Sequence, residues 1–304
     1  MAFFSKPESD PLFSVLIPSW NNLEMLKLCL QSLEQNSSLP LEVVVHVNEG
    51  QDGTIAWLTE QQIVFTESPT NIGISAGLNL AYTKAQAEYI VYLNDDMYVL
   101  PGWDQALYQS ELTAEPEQIV YSSGTMIQPF SMSPIDIVRN YGDNPNSFDE
   151  QQLLSDHADE QLNIDDWNGA TWPPSCLHRR WWDAVGGYSH DLGMGLYSDI
   201  DFSMKLWSLG CRRFLGCGSS LVYHFPETST RKLKHSFPQE SRQSRRKFLN
   251  KWGILPSSVS KYILHSGDRF LGETPEPSMF WERLRIKGLT SYYGLMDHFT
   301  QRTF

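Results

Sequence analysis

The sequence predicts an α/β protein: a Rossmann-like, mostly parallel sheet flanked by helices, with a C-terminal extension. Three observations carry that prediction. Apolar runs alternate with stretches of helical periodicity over roughly the first hundred residues, the pattern of parallel strands joined by crossover helices. Polar residues collect where successive runs stop, at 18–20, 48–52 and 94–96. In a doubly wound sheet those stops share one edge, and ligands bind beyond that edge. The length of 304 residues, 41% hydrophobic and 19% charged, suits one large domain, or one domain with an appendage.

The elements follow in order. "FSVLIPSW" is an apolar run stopped by Pro18 and reads as a first strand. In "NLEMLKLCLQSLEQN", Leu23, Leu26, Leu30 and Leu33 recur at three- and four-residue steps, one face of a helix that Asn21 or Asn22 could cap. "LEVVVHVNEG" is a valine-rich second strand ended by Gly50. "TIAWLTEQ" is a short helix, "IVFTES" a third strand, and "NIGISAGLNLAYTKA" a helix entered through a glycine-bearing loop. "YIVYLNDD" is a fourth strand, its apolar part running from Tyr89 to Leu93. Residues 124–168, rich in Pro, Asn and acids, read as an excursion or lid. Order resumes at 169, and the composition turns basic after Tyr223.

Bulk properties narrow the function. A net charge of -13 argues against non-specific nucleic-acid binding. The four cysteines form no CxxC pair, which reads as free thiols in a reducing cytosol. No run approaches the length of a transmembrane helix, and "MAFFSKPESD" lacks a signal-peptide core. The expected location is cytoplasmic. The basic stretch 231–251 reads as a solvated helix face, with a clamp on an anionic group by Arg231 or Lys232, or peripheral contact at the inner face of the membrane, as the alternatives.

Two adjacent carboxylates, Asp95 and Asp96, stand where the fourth strand ends. Like charges side by side repel, and a hard divalent cation removes that repulsion. A solvated acidic turn is the plainer reading. Asp199 opens the amphipathic stretch "SDIDFSMKLWSLG" and could cap a helix or act as a base. Asp201, two residues on, points to a different face and is expected to orient the site or to pair with Arg212 or Arg213. Asn71 could be a helix cap, and Gly73 and Gly77 could serve helix–sheet packing. Trp172, Trp181 and Trp182 could form a sugar platform, although large aromatics more often fill the core.

Seven stretches resemble the family 2 glycosyltransferases, which have the GT-A nucleotide-diphospho-sugar transferase fold: "VLIPSWNN", "VVVHVNEGQDGT", "NIGISAGLN", "YLNDDM", "GGYSHDLGMGLYSDIDFSMKLWSLG", "YHF" and "RRKFLNKWG". The resemblance implies transfer of a sugar from a nucleoside diphosphate to an acceptor hydroxyl, with inversion, in polysaccharide or glycoconjugate synthesis. It implies Asp199 as the base, and Asp96 and His224 as ligands of Mn²⁺ or Mg²⁺. The donor contacts it implies are Pro18, Ser19, Trp20, Asn21, Asn48, Glu49, Asn71, Gly73, Asn79, Asn94, Asp95 and Arg231. Asn94 stands in the first acidic position of the metal motif, and Ser198 where the family usually has an acid. Asn48 replaces an acid that reads the nucleobase, and its amide suits uracil, thymine or guanine. The partners implied are a nucleoside-diphosphate-sugar donor and a carbohydrate or lipid-linked acceptor. Residues 1–253 then form the transferase domain, with 12–123 its nucleotide half, 124–168 the lid, 169–253 the acceptor half, and 254–304 a helical extension. A sugar nucleotidyltransferase would want a glycine-rich basic loop, and "IPSWNNLEM" has neither Gly nor Lys at its turn. A non-catalytic sugar-binding protein would not need both Asp96 and Asp199.

Overall fold

In the computed structural model, residues 10–131, 133, 135–192, 196–225, 237–276 and 291 are described. The first half follows the predicted alternation: β1 (Phe13–Trp20), α1 (Leu23–Asn36), β2 (Leu41–Asn48), α2 (Thr54–Glu60), β3 (Val64–Ser68), α3 (Gly73–Tyr82) and β4 (Tyr89–Tyr92). Then come β5 (Met97–Val99), α4 (Trp103–Leu112), β6 (Val120–Gln128), β7 (Ile137–Val138), α5 (Glu150–Ala158), β8 (Trp167–Asn168) and β9 (Ser175–His178). The chain continues through α6 (Arg179–Val185), α7 (Ser198–Leu209), β10 (Arg213–His224), α8 (Phe237–Trp252) and α9 (Pro256–Tyr262).

The strands form one sheet in the order β3-β2-β1-β4-β9-β6-β10-β5, with β7 beside β6 and β8 beside β10. β1 pairs parallel with β2 and β4, and β2 parallel with β3. β9 runs antiparallel between β4 and β6, so β6 and its parallel neighbour β10 point the same way as β1. The carboxyl ends of β1, β2, β4, β6 and β10 therefore share one edge. Leu26, Leu30 and Leu33 of α1 pack with Val15, Ile17, Val45 and Val91 on one face. On the other face, Leu78 of α3 packs with Leu16, Val44, Trp182, Phe202 and Phe248.

Several details depart from expectation. β4 stops at Tyr92, one residue early, although Leu93 N still donates to Leu16 O at 3.1 Å. Neither Asn21 nor Asn22 caps α1. The start of α1 is instead held by Asp52, which accepts from Leu23 N at 2.8 Å. Residues 124–128 belong to β6, inside the sheet, so the chain leaves the sheet after Gln128. The segment that follows is anchored by its own apolar core, in which Tyr141, Leu153 and Leu162 pack on Tyr98, Ile127 and Tyr223. Beyond α9 the described chain runs through turns and bends, with one isolated bridge between Arg269 and Trp167. Phe270 N donates to Asp166 O at 3.0 Å and Thr274 N to Arg212 O at 2.6 Å. Trp182 lies in the core, stacked on Tyr82 at 5.0 Å, and so does not offer a sugar platform. All four cysteines are buried free thiols. Among the described residues no helix is long and apolar enough to cross a membrane.

Candidate functional site

The shared carboxyl edge is built from loops that leave β1, β2 and β4. β1 and β2 are in register to their ends, with Pro18 opposite His46 and Trp20 opposite Asn48. The next residues are held in the left-handed region, Asn21 at φ 47° and Glu49 at φ 66°. Side chains stabilise that backbone: Asn21 Nδ2 donates to Glu49 Oε2 at 3.0 Å, and Asn21 Oδ1 accepts from Gln51 N at 2.7 Å. Left-handed backbone at non-glycine residues is costly and collects at functional sites. Tyr197, just before α7, shares it with φ 67°.

The adjacent acids have different surroundings. Asp95 and Asp96 are both buried. Ser19 Oγ, from the end of β1, donates to Asp95 Oδ2 at 2.6 Å. Asp96 Oδ1 lies 3.6 Å from His224 Nε2 at the end of β10. β10 pairs with β5 so that His224 stands opposite Met97, and Phe225 N donates to Asp96 O at 3.0 Å. The antiparallel pairing of β5 with β10 thus brings together residues far apart in sequence. Behind the acids, the buried thiol of Cys29 touches Asn94 O at 3.5 Å. Burial, then the charges of Asp95 and Asp96, raise that thiol well above its ordinary range.

Tyr92 feels the charges of Asp199 and of both acids. Its hydroxyl donates to Asn94 Oδ1 at 2.7 Å. Burial raises its titration far above normal, and the charges of Asp199 and Asp96 add to the rise. Asp199 sits in the first turn of α7. Its Oδ1 is sealed from solvent with no partner at hydrogen-bond distance, although the residue as a whole is only partly covered. Burial pushes this carboxyl from 3.8 to about 7, with Tyr188 acting in the opposite direction. No side chain caps α7, so Asp199 is not spent as a helix cap.

Other predicted residues hold the scaffold. Asn48 Oδ1 accepts from Ile72 N at 2.9 Å and from Ser68 Oγ at 3.3 Å, tying the end of β2 to the entrance of α3. Asn71 Oδ1 accepts from Gly73 N at 2.9 Å, a cap-like turn. Gly73 has φ 83°, and a Cβ on Gly77 would fall 2.7 Å from His46 Cδ2, so α3 must lie close on β2. Asn79 turns away from the edge. Its Nδ2 donates to Tyr188 O at 2.8 Å and its Oδ1 accepts from Tyr188 N at 2.9 Å, so both amide atoms anchor the turn after α6. Asp201 pairs with neither Arg212 nor Arg213. It accepts from Trp252 Nε1 at 2.7 Å and from Ser189 Oγ at 2.5 Å, and lies 2.8 Å from Lys251 Nζ. Arg212 is engaged with Glu276 at 2.5 Å, and Arg213 Nη2 with Thr113 at 2.7 Å. Arg231 lies outside the described residues.

Asp96 and His224 offer one carboxylate oxygen and one imidazole nitrogen, a donor set that fits Mn²⁺ better than the strictly oxygen-seeking Mg²⁺. Among the described residues no three His, Cys, Asp or Glu side chains converge on one ion position. Such a pair fits an ion that shares its coordination with phosphate oxygens and water. A separate groove of about 490 Å³ runs beside Asp136, Leu162, Asp165, Trp167 and Arg269, and touches none of the predicted residues.

Residues 14–129 match the model of Glycosyl transferase family 2. This segment belongs to that family. It carries β1 to β6 and the acids Asp95 and Asp96, whereas Asp199 and His224 lie beyond it. A mannosyltransferase, PcManGT from Pyrobaculum calidifontis, solved with GDP-Man and Mn²⁺, is 17% identical with a TM-score of 0.54, covering 85% of this chain and 69% of that one. S. aureus TarS 1-349 is 14% identical with a TM-score of 0.51, covering 78% of this chain and 65% of that one. Its complex with UDP is 15% identical with a TM-score of 0.52. At these identities the likeness establishes the GT-A fold for the family 2 segment and the half that completes its sheet. The chain spans 65% of the length of TarS 1-349. A search of curated proteins found no match.

Proposed function

We propose that the protein is an inverting glycosyltransferase that moves a sugar from a nucleoside diphosphate to an acceptor hydroxyl, in polysaccharide or glycoconjugate synthesis. The observation that carries this reading is Asp199: a carboxyl raised to about 7 by burial, whose charge acts on the same buried Tyr92 hydroxyl as the charges of Asp96 and Asp95. An acceptor hydroxyl must lose its proton as it attacks, and a base is most effective when its pKa lies near the working pH. Asp199 is not spent as a helix cap and is only partly covered as a residue, which leaves its carboxyl to take that proton. The loops after β1 and β2, stiffened by Asn21 and Glu49, would frame the base and ribose, and Asp95 is fixed by Ser19. Asp96 and His224 would hold a divalent ion, which when bound supplies Lewis-acid stabilisation of the departing diphosphate. The solved relatives bear on the donor class, since one contains GDP-Man and another UDP. Asn48 has its Oδ1 committed to Ile72 N, which leaves its amide N–H edge for a nucleobase oxygen.

The test is thermal stabilisation by UDP and GDP, with and without MnCl₂, followed by a screen of nucleotide-sugars for slow hydrolysis. A ligand that binds only the folded state raises the melting temperature. The expected result is a rise only when nucleotide and Mn²⁺ are present together, abolished in Asp96→Ala and retained in Asp199→Asn. Equal loss of nucleotide binding in the two variants would refute the separate roles of base and metal ligand.

A further inference from the structure

His224 is held from behind by a chain of two side chains. His224 Nδ1 lies 2.9 Å from Gln128 Oε1. Gln128, the last residue of β6, is fully buried. Its Nε2 donates to Asp136 Oδ2 at 2.6 Å, and Ser133 N donates to the same oxygen at 2.6 Å. A carboxylate only accepts hydrogen bonds, so the amide group facing Asp136 is the NH₂. The amide oxygen therefore faces His224, and an oxygen only accepts. Nδ1 must then carry the proton. The neutral imidazole is left with its lone pair on Nε2, the atom that lies 3.6 Å from Asp96 Oδ1. With Nδ1 protonated, Nε2 is the nitrogen left to bind a cation, and Asp96 Oδ1 stands beside it.

We infer that Gln128 and Asp136 act as positioning residues that lock the tautomer and ring orientation of His224, so that Nε2 is presented beside Asp96. The inference rests on the metal reading proposed above and adds the residues that enforce it. Asp136 belongs to the segment that leaves the sheet after β6 and lines the separate groove. That segment is thereby tied to the metal-ligand pair through one buried amide.

The experiment uses the full chain with ¹⁵N-labelled histidine, at a pH raised until the His224 ¹⁵N shifts no longer change, so that the neutral imidazole is read. His224 is assigned by comparison with His224→Gln. Mn²⁺ affinity is measured in parallel from the free-Mn²⁺ electron paramagnetic resonance signal, with UDP or GDP present. Wild-type His224 is expected as the Nδ1–H tautomer. Gln128→Leu removes the acceptor. Asp136→Asn keeps the volume but lets the Gln128 amide turn over. Either variant should shift His224 toward a tautomer mixture and weaken Mn²⁺ binding about 10- to 100-fold. Far-UV circular dichroism confirms the fold, and Asp136→Asn serves if Gln128→Leu does not fold. Wild-type tautomer and wild-type Mn²⁺ affinity in a folded variant would overturn the inference while Asp96→Ala still reports the metal site. A locked tautomer in a wild-type protein that binds no Mn²⁺ would overturn the metal reading and the purpose assigned to the lock.

Discussion

A carboxyl group held near neutrality links the rate and the stability of this protein. Asp199 is raised to about 7 because burial penalises its charged form. As the proposed base, Asp199 would act only when ionised, so kcat/KM for transfer should rise with pH and level off above about 7. Asp199→Asn should reduce transfer by about 100-fold or more, the usual contribution of a positioned base, with nucleotide affinity unchanged. The same residue should cost stability. Its folded-state pKa lies above the unfolded value, so the native state binds the proton more tightly and loses that advantage as pH rises from about 4 to 7. The melting-temperature difference between Asp199→Asn and wild type should therefore grow in favour of the variant over that interval and stay flat above it. A difference independent of pH would mean that Asp199 is ordinarily solvated. Motif position alone pointed to Asp96, Asp199 and His224. Tyr92 and Gln128 carried no such signal, because a buried tyrosine and a strand-end glutamine gain their roles only from neighbours. Gln128 meets His224 across 96 positions of sequence.

At the scale of elements, the start of α7 is clamped to the end of α8. Asp201 is fully buried and takes Lys251, Trp252 and Ser189 as partners. Phe248, one turn earlier, fills the core. The sequence "FLNKWG" is thus a fastener that fixes the helix carrying Asp199. Its two charges are unequally exposed, with Lys251 28% and Asp201 1% accessible at the side chain. Lys251→Met strands a buried carboxylate, whereas Asp201→Asn leaves a lysine able to turn toward water and toward Asp191, 4.0 Å away. Lys251→Met should therefore be the more destabilising change, by roughly 3 kcal/mol against wild type. Urea denaturation of both single variants and the double variant tests the order; equal losses would show that Asp201 is not stranded without Lys251. The elements of the first half were legible because each combines one hydrophobic period with a turn signal. Asp201 was misassigned to Arg212 or Arg213 because a nearby charge is visible in sequence, while a partner 50 positions away on another helix is not.

For the whole molecule, the sheet order decides what can fold alone. The family 2 segment, residues 14–129, supplies β1 to β6, yet those strands are not contiguous in the sheet. β9 lies between β4 and β6, and β5 pairs only with β10 among the described strands. Both missing strands come from the second half of the chain. Removing them would expose the edges of β4 and β6, leave β5 unpaired and open one face of the apolar core that Phe202, Phe214 and Phe248 complete. Open apolar edges promote association between chains. A fragment of residues 1–129 should therefore lack a cooperative thermal transition and aggregate, although a family match spans most of it. Co-expression with residues 130–304 should restore a soluble, folded pair, because β9 and β10 can dock without a covalent link. Size-exclusion chromatography and calorimetry distinguish the outcomes. A monomeric fragment with its own sharp transition would show that the nucleotide half is an independent unit. In that case the placement of His224 beside Asp96 would depend on docking between two units rather than on one continuous sheet.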